Sequence, residues 1–296
     1  MTAQAAVPSA VLLGTFTPGS PEWEEARGGL CITATEIAAV LNLNPSTWAN
    51  RYELWHKKAG LPVASFEPNP FTKWGVRLED DVAEEYAERH PEHPLLSTGT
   101  WRHVERSWQR ATPDRLHSHR IVEIKTSPFD DGEWGPDGSD QVPLHYRCQI
   151  IWQQDTLGLH ERAHVAVLIS GWDYRELYVD YDEADALLMR DAAQTFLHDV
   201  RHGVRPDIDD SDRTYNTLRR QPDRYDREDV EIPGPIADQY EKAGAHYRAA
   251  DTAYTQAKSH VLAALGTGRN AVHLGRRIAY RVANDDGTTR SLHPAR

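Results

Sequence analysis

Two carboxylates and a lysine lie close together in one short segment whose residue types could support metal-dependent hydrolysis. Asp114 lies nine positions before Glu123, and Lys125 follows Glu123 after one residue. The run RIVEIKT around Glu123 is rich in β-forming residues and predicts a strand. Alternation along a strand places Glu123 and Lys125 on one face and turns Ile124 towards the core.

The chemistry of this group depends on how the segment folds back. If the strand that carries Asp114 pairs with the strand of Glu123, both carboxylates can reach one Mg²⁺, which prefers oxygen ligands. Lys125 could then orient or help deprotonate an attacking water, or stabilise charge on a phosphate. An acid and a lysine on one strand face are common on protein surfaces, so the pattern needs further support.

The surrounding patterns predict the elements that would position these residues. Helical spacing covers 46–60 and 75–90, with stops at Gly60 and Pro91, and both helices are predicted to lie on the surface. Short segments rich in β-formers run from 101 to 126, with a turn predicted at 116–119.

The second half of the fold is predicted to return to helices and a pair of strands. Helical spacing covers 144–157 and 182–201, and strand patterns cover 163–170 and 174–180, separated by a turn at 171–173. This order indicates an α/β or α+β domain with a mixed sheet covered by helices.

The chain divides by pattern into three parts. Residues 1–204 form the predicted domain, and the charged, non-periodic segment 205–235 is predicted to be a linker or a strapped surface segment. Within 236–296, apolar residues from 236 to 264 recur in steps of four and three, as in a coiled coil. The alternation after residue 278 predicts a terminal β-hairpin.

Composition restricts the classes of protein that the chain could be. A formal net charge of -12 argues against a general nucleic-acid coat protein, although carboxylates that hold metals are compatible with a nuclease. The two cysteines exclude a disulfide framework and a four-cysteine iron-sulfur cluster. We find no apolar run of membrane-spanning length and no secretory signal pattern, so we expect a cytoplasmic protein.

Five motifs in order resemble the PD-(D/E)XK nuclease superfamily, and in particular its YqaJ-like branch, which includes the phage lambda exonuclease. The ATPD and EIK runs supply Asp114, Glu123 and Lys125, and WGVRLEDD at 74–81 is similar to the family's helix motif, with Glu79 as its glutamate. The resemblance covers about residues 20 to 202 and implies a restriction-endonuclease-like core.

A third motif carries the predicted contacts with the 5′-phosphate. The segment 26–41 is similar to the family's N-terminal motif, in which Arg27 and Thr35 would hold the terminal 5′-phosphate. Thr112 is the third residue of this set; both threonines stand where relatives often have serine, which keeps the hydroxyl. The acidic, Gly-rich stretch 126–141 departs from what a DNA-contacting segment would need.

The remaining motifs complete the resemblance. VPLHYRCQIIWQQ at 142–154 resembles the family's tyrosine and glutamine helix, on which Tyr146, Gln149 and Gln153 share one face. Tyr146 and Gln153 would face DNA, and Gln149 could fix a metal ligand or the water. HVAVLISGWDYRELYVDYDE at 164–183 is similar to the strand, turn and strand that complete the core.

The resemblance implies a specific activity and set of partners. Glu79, Asp114, Glu123 and the carbonyl of Ile124 would hold two Mg²⁺ ions about 4 Å apart, with Mn²⁺ as a substitute. The enzyme would degrade linear duplex DNA from 5′ ends and leave 3′ single strands for an annealing recombinase. A ring-shaped trimer is a further expectation from the family.

Other functions remain open at the level of sequence. A RecB-like repair nuclease or a restriction-type endonuclease could use the same residues, and so could an inactive module that only binds DNA ends. The missing cysteine cluster counts against iron-sulfur members of the first class. Zinc binding by His90 with His93, or by His117 with His119, is disfavoured because no cysteine or HExxH-type helix accompanies these histidines.

Overall fold

The computed structural model describes residues 7–65, 67–221 and 226–295. The chain separates into two compact units, Met1–Tyr225 and Asp226–Arg296. The division falls inside the segment 205–235 that the sequence predicts to be a linker. Within the part of the chain that the structure describes, no helix is both long enough and apolar enough to span a bilayer.

The first unit combines short strands and helices, as the sequence predicts. Its strands are β1 (Ala10–Gly14), β2 (Ile32–Thr33), β3 (Leu95–Ser97), β4 (Thr100–His103), β5 (Gln109–Ala111), β6 (Arg115–His117), β7 (Arg120–Ser127), β8 (Ala163–Ile169) and β9 (Asp173–Val179). Its helices are α1 (Pro21–Arg27), α2 (Ile37–Val40), α3 (Arg51–Lys58), α4 (Pro70–Arg89), α5 (Leu144–Leu157), α6 (Glu183–His202) and α7 (Asp212–Leu218).

The main sheet has the strand order β3-β6-β7-β8-β9. Strand β7 pairs antiparallel with β6 and parallel with β8, and β8 pairs antiparallel with β9. A second sheet has the order β1-β4-β5-β2. The main sheet is therefore mixed, as predicted. Strand β7 lies at the centre of this sheet and is hydrogen-bonded to a neighbouring strand along both edges.

Helices cover the main sheet on both faces. Val122 and Ile124 of β7 pack with the buried residues of α4, whereas Ile121 packs in the cluster that contains the buried residues of α5. Because successive strand residues point to opposite faces, α4 and α5 lie on opposite sides of β7. The prediction of a mixed α/β fold with a sheet flanked by helices is confirmed.

Two helices begin at positions other than those that periodicity predicts, because capping side chains set their first residues. Helix α3 begins at Arg51 rather than 46, since the Asn50 side chain accepts a hydrogen bond from the Glu53 backbone. Helix α4 begins at Pro70 rather than 75, since Asn69 caps the Thr72 backbone and Pro70 occupies the first turn.

Three further differences concern the burial of α3, the length of one turn and the presence of helix α7. Helix α3 buries Tyr52 through His56 and is not a surface helix, because it packs against α2, α6 and α7. The turn predicted at 116–119 is shorter, since residues 116 and 117 belong to β6 and the reversal uses Ser118, whose φ is 58°. Helix α7 lies within the segment 205–235, where the sequence shows no periodicity.

The second unit consists of a long helix and a small sheet. Helix α8 (Gly234–Leu265) is followed by β10 (Asn270–His273), β11 (Arg276–Ala283) and β12 (Thr289–Pro294). Strands β11 and β12 form the predicted hairpin, and β10, which the alternation pattern does not predict, pairs with the other edge of β11. None of the residues of α8 is buried.

Candidate active site

Strand β7 presents the acid and the amine of the predicted hydrolytic group on one face. Glu123 is completely buried on the side of α5, and its Oε1 accepts a hydrogen bond from Lys125 Nζ at 2.5 Å. Ile124 points to the opposite face, into the cluster beneath α4. The alternation of the strand thus places the charged pair together and separates it from the apolar residue between them.

Asp114 reaches this group from the start of the neighbouring strand. It directly precedes β6, and its Oδ2 accepts a hydrogen bond from the Ile124 backbone N–H at 2.8 Å. The same oxygen lies 4.0 Å from Lys125 Nζ. The pairing of β6 with β7 therefore brings the two carboxylates of this segment to one amine.

The charges in this group affect one another strongly. Burial, followed by the charge of Asp114, raises the pKa of Glu123 to about 7. Burial opposes the charged form of Lys125, but the neighbouring Glu123 and Asp114 outweigh it and raise the pKa of this amine above its usual value. Lys125 is thus held as a cation between two acids.

Glu79 approaches Asp114 from α4. It lies on the helical stripe that also contains Val82, Ala83 and Tyr86, the buried residues that face the sheet. A Cβ at Gly75 on the same helix would lie 3.2 Å from Thr126 Oγ1, so the first turns of α4 pass close to β7.

Electrostatic interactions tie Glu79 to the segment around Asp114. Burial and then the charge of Asp114 raise the pKa of Glu79. Arg115 donates to Glu79 Oε1 at 2.9 Å and to the Asp114 carbonyl at 2.8 Å. The sequence motifs do not indicate Arg115 as a site residue, although its position directly after Asp114 is a usable signal.

Two glutamines of α5 donate hydrogen bonds to the buried carboxylate of Glu123. Gln149 Nε2 donates to Glu123 Oε1, and Gln153 Nε2 donates to Glu123 Oε2 at 3.0 Å. Both glutamines are buried and lie one helical turn apart, so they face the same strand. The Glu123 carboxylate therefore has donors on both oxygens, which fixes its orientation.

Tyr146 lies on α5, three residues before Gln149. Lys125 Nζ is 5.0 Å from the centre of its ring, a cation-π distance, and the Trp134 ring stacks on it at 5.5 Å. Burial raises the pKa of the Tyr146 hydroxyl. The structure thus places Tyr146 against the catalytic candidate Lys125.

The residues predicted to hold a 5′-phosphate also converge. Arg27 Nη1 donates to Thr112 Oγ1 at 3.1 Å, and Arg27 Nη2 donates to Thr35 Oγ1 at 2.9 Å. Two more threonines extend this group. The Thr33 hydroxyl lies 3.2 Å from Thr35 Oγ1, and the Thr100 hydroxyl lies 3.1 Å from Thr112 Oγ1. These two threonines were not predicted, although the alternation of Thr33 and Thr35 along the chain is a usable signal.

A short stretch of chain links the residues around Arg27 to the carboxylates around Asp114. Thr112 follows β5 and lies two positions before Asp114. Two extended residues span about 7 Å at most. The connection from β5 to β6 therefore contributes one residue to each of the two groups.

A separate group on the α4 side of the sheet could hold a metal ion. His90, His164 and Glu176 offer ligand atoms that lie within 4.8 Å of one another. Tyr86 OH and Arg120 Nη1 lie 2.8 Å and 2.9 Å from the two ring nitrogens of His164. The permanent positive charge of Arg120 beside His164 Nε2 disfavours a metal cation at this nitrogen. The group is therefore a buried polar network rather than a metal site.

The comparisons with known proteins agree with the motifs described above. Residues 22–159 match the sequence model of the YqaJ-like viral recombinase domain. The match covers just under half of the chain, and over these residues the chain is similar to that domain. Asp114, Glu123, Lys125 and both α5 glutamines fall within the matched range of this viral recombinase domain.

One curated protein that is similar to this chain is the uncharacterized protein YqaJ of Bacillus subtilis (strain 168). It is 28% identical over 207 residues, which are 68% of this chain and 62% of YqaJ. The chain thus spans less than two thirds of the length of this relative.

Among solved structures, similarity extends to exonucleases. The alkaline exonuclease LHK-Exo from Laribacter hongkongensis aligns with a TM-score of 0.48 and 19% identity, over 62% of this chain and 94% of that chain. Its complex with dAMP has the same TM-score and coverage, with 20% identity. A phage-related exonuclease from Haemophilus somnus 129PT aligns with a TM-score of 0.45 and 12% identity, over 58% of this chain and 96% of that chain.

Proposed function

We propose that the chain is a metal-dependent DNA exonuclease that degrades linear duplex DNA from 5′ ends. The observation that carries the proposal is the convergence of Asp114, Glu123 and Lys125, with Glu79 beside Asp114. The match of residues 22–159 to the YqaJ-like viral recombinase domain supports the same conclusion.

The donor set fits a hard divalent cation. Glu79, Asp114 and Glu123 offer carboxylate oxygens, which suit Mg²⁺ or Mn²⁺, and the Ile124 carbonyl is a further candidate ligand. The raised pKa values of Glu79 and Glu123 arise from burial and from the charge of Asp114. A cation among these acids would favour their ionised forms, so a metal fits the group electrostatically, and we propose two ions.

Lys125 acts on the phosphate in this proposal. When bound, divalent ions activate water and stabilise charge on the attacking and leaving oxygens of a phosphodiester. Because Glu123 and Asp114 raise the pKa of Lys125, the amine stays protonated and donates to a phosphate oxygen. Gln149 and Gln153 hold both oxygens of Glu123 in place.

Arg27 and the surrounding hydroxyls would determine which end of the DNA is attacked. A guanidinium and several hydroxyl donors match the terminal phosphate of a 5′ end. Thr112 lies two positions before Asp114, which supports a phosphate position close to the carboxylates. Attack from the 5′ end leaves a 3′ single strand, which is the substrate of a single-strand annealing recombinase. We propose such a recombinase as a partner.

A degradation assay tests the activity and the polarity together. The protein is incubated with linear duplexes that carry 5′-phosphate or 5′-hydroxyl ends, and with closed circles, in Mg²⁺ or in EDTA. We expect loss of the phosphorylated linear duplex in Mg²⁺ alone. Cutting of closed circles would instead indicate a restriction-type or repair endonuclease, and no hydrolysis with any divalent ion would indicate a module that binds DNA ends.

A matched pair of variants on α4 tests the contribution of Glu79 to the proposed metal group. Glu79→Gln should raise the Mg²⁺ concentration needed for half-maximal rate, because it removes one negative charge beside Asp114. Glu88→Gln makes the same change at an exposed position of the same helix and should leave the titration unchanged. Equal titrations for both variants would exclude Glu79 from the metal group.

A further inference from the structure

Helix α8 carries an exposed apolar stripe that the proposed active site does not use. Ile236, Tyr240, Tyr247 and Tyr254 are all more than half exposed. The stripe continues through small residues in steps of four and three. Its members are Ile236, Tyr240, Ala243, Tyr247, Ala250, Tyr254, Ala257, Val261 and Ala264. We refer to these residues as the α8 seam.

Large and small residues alternate along the α8 seam. In heptad terms, Tyr240, Tyr247, Tyr254 and Val261 occupy one type of core position, and Ile236 and the alanines occupy the other. The three tyrosines alternate with Ala243, Ala250 and Ala257 in the middle of the helix. This segregation of sizes restricts which partner helix can fill the space along the seam.

A parallel copy of α8 would fit poorly. Parallel pairing places identical positions opposite each other, so tyrosine would meet tyrosine in one layer and alanine would meet alanine in the next. Close packing at native density needs large residues opposite small ones. Alternating crowded and empty layers would destabilise the parallel arrangement.

An antiparallel copy fits the tyrosine and alanine layers of the seam. Reversing one helix about a point between residues 248 and 249 places each position of the first type opposite one of the second. Tyr240 then faces the partner's Ala257, and Tyr247 faces the partner's Ala250. Tyr254 faces the partner's Ala243, so each layer that contains a tyrosine combines a large residue with a small one. Val261 faces the partner's Ile236 at the ends of the seam.

We propose that α8 is a dimerisation helix that pairs antiparallel with α8 of a second copy of this chain. The surface is isologous, since one patch meets itself across a two-fold axis. This proposal concerns assembly and does not depend on the nuclease activity.

The size and charge of the surface agree with a second copy as the occupant. A fully exposed tyrosine offers about 200 Å², so the exposed parts of the three tyrosines amount to roughly 800 Å² over two copies. The aliphatic residues of the seam add to this area. Specific interfaces bury a total of at least about 1,000 Å². Helix α8 has as many acidic residues (Asp238, Glu241, Asp251) as basic ones (Lys242, Arg248, Lys258), which disfavours a nucleic acid as the occupant.

A size swap within one layer tests both the pairing and its direction. Ala250→Tyr should crowd two symmetry-related layers and raise the dimer dissociation constant of the full chain by at least about tenfold in sedimentation equilibrium. Adding Tyr247→Ala should restore dimerisation, because each layer again combines a tyrosine with an alanine. Ala245→Tyr, on the exposed outer side of the helix, is the matched control and should have no effect.

Circular dichroism of each variant checks that helix content is retained. Monomeric wild-type protein at all concentrations would overturn the proposal, and so would a dimer or larger assembly that is insensitive to Ala250→Tyr. Failure of Tyr247→Ala to rescue Ala250→Tyr would overturn the antiparallel arrangement.

Cross-linking tests the direction independently. Tyr240→Cys and Ala257→Cys chains, mixed and oxidised, should form a disulfide between the two different variants. Neither variant should cross-link to itself, and the wild-type chain, whose Cys31 and Cys148 are buried, provides the background. Cross-linking of each variant to itself would demonstrate parallel pairing and overturn the proposal.

Discussion

Asp114 Oδ2 accepts a hydrogen bond from the Ile124 backbone N–H at 2.8 Å. This bond ties the acid that precedes β6 to the residue that lies between Glu123 and Lys125. The spacing of two carboxylates and one amine therefore follows from a strand pairing rather than from flexible side chains. Conservative changes at Asp114, Glu123 or Lys125 should therefore affect catalysis more than they affect the fold.

Removal of the buried charge should abolish hydrolysis. We expect Glu123→Gln to lower the rate on phosphorylated linear duplex by at least about 100-fold, because an uncharged amide binds a divalent cation poorly. Lys125→Ala should have a similar effect, since it removes the cation that faces the phosphate. The measurement is the initial rate in saturating Mg²⁺.

Glu133→Gln provides the control for this pair, since Glu133 is an exposed acid of the same domain. Its rate and its melting temperature should equal those of the wild type. Near-normal rates for Glu123→Gln or Lys125→Ala would refute the assignment of the active site.

Gln153 should act by positioning Glu123. Gln153→Leu leaves Glu123 Oε2 without its donor in a buried environment, which should cost about 1–3 kcal/mol of stability and raise the Mg²⁺ requirement. The neighbouring Gln154 is equally buried but donates to the Glu161 carbonyl. Gln154→Leu should therefore lower stability without changing the Mg²⁺ titration, and equal titrations for the two variants would remove the positioning role.

Arg27 should set the preference for phosphorylated ends. Loss of a charge-assisted contact of about 1.5–3 kcal/mol corresponds to roughly 10- to 150-fold. We expect Arg27→Gln to lower the rate on 5′-phosphate ends by a factor in this range and to leave the rate on 5′-hydroxyl ends nearly unchanged. Arg89→Gln, an exposed arginine on α4, is the control. An equal fall in the rate on 5′-phosphate and 5′-hydroxyl ends would indicate a structural role for Arg27.

His164 should make the fold sensitive to acid. Burial, and then the charge of Arg120, lowers the pKa of His164 from 6.5 to about 4. A lowered pKa means that the folded state binds the proton less tightly than the unfolded state does. The contribution of His164 is therefore present above pH 6.5 and is lost as the pH falls towards 4, by about 3 kcal/mol at most.

Urea unfolding at several pH values in EDTA measures this effect. The free energy of unfolding of His164→Gln should fall less steeply between pH 6.5 and 4 than that of the wild type. His198→Gln changes an exposed histidine and should follow the wild-type curve. Identical slopes for His164→Gln and the wild type would contradict the prediction.

Some differences between prediction and structure could have been avoided from sequence. Asn50 followed by Glu53, and Asn69 followed by Pro70, are capping signals that fix the first residues of α3 and α4. Periodicity alone does not detect such signals, because it responds to burial along the whole helix and not to the unpaired N–H groups at its start. The burial of α3 could not be predicted in this way, since it depends on packing against α6 and α7.

Local pattern was sufficient wherever one element determines the geometry. The sequence by itself determined that Glu123 and Lys125 share a face of β7, because side chains alternate along any strand. It also determined that Gln149 and Gln153 share a face of α5, because residues four apart are neighbours on any helix. In both cases the backbone repeat sets the direction of the side chain.

Only the tertiary structure decided which of these faces meet. Glu79 lies beside Asp114 because α4 packs on β7, and Arg27 binds Thr35 and Thr112 because three separate segments converge. The same packing gathers His90, His164 and Glu176 from distant positions. Contacts of this kind depend on how apolar faces are buried against one another, and no short stretch of sequence contains that information.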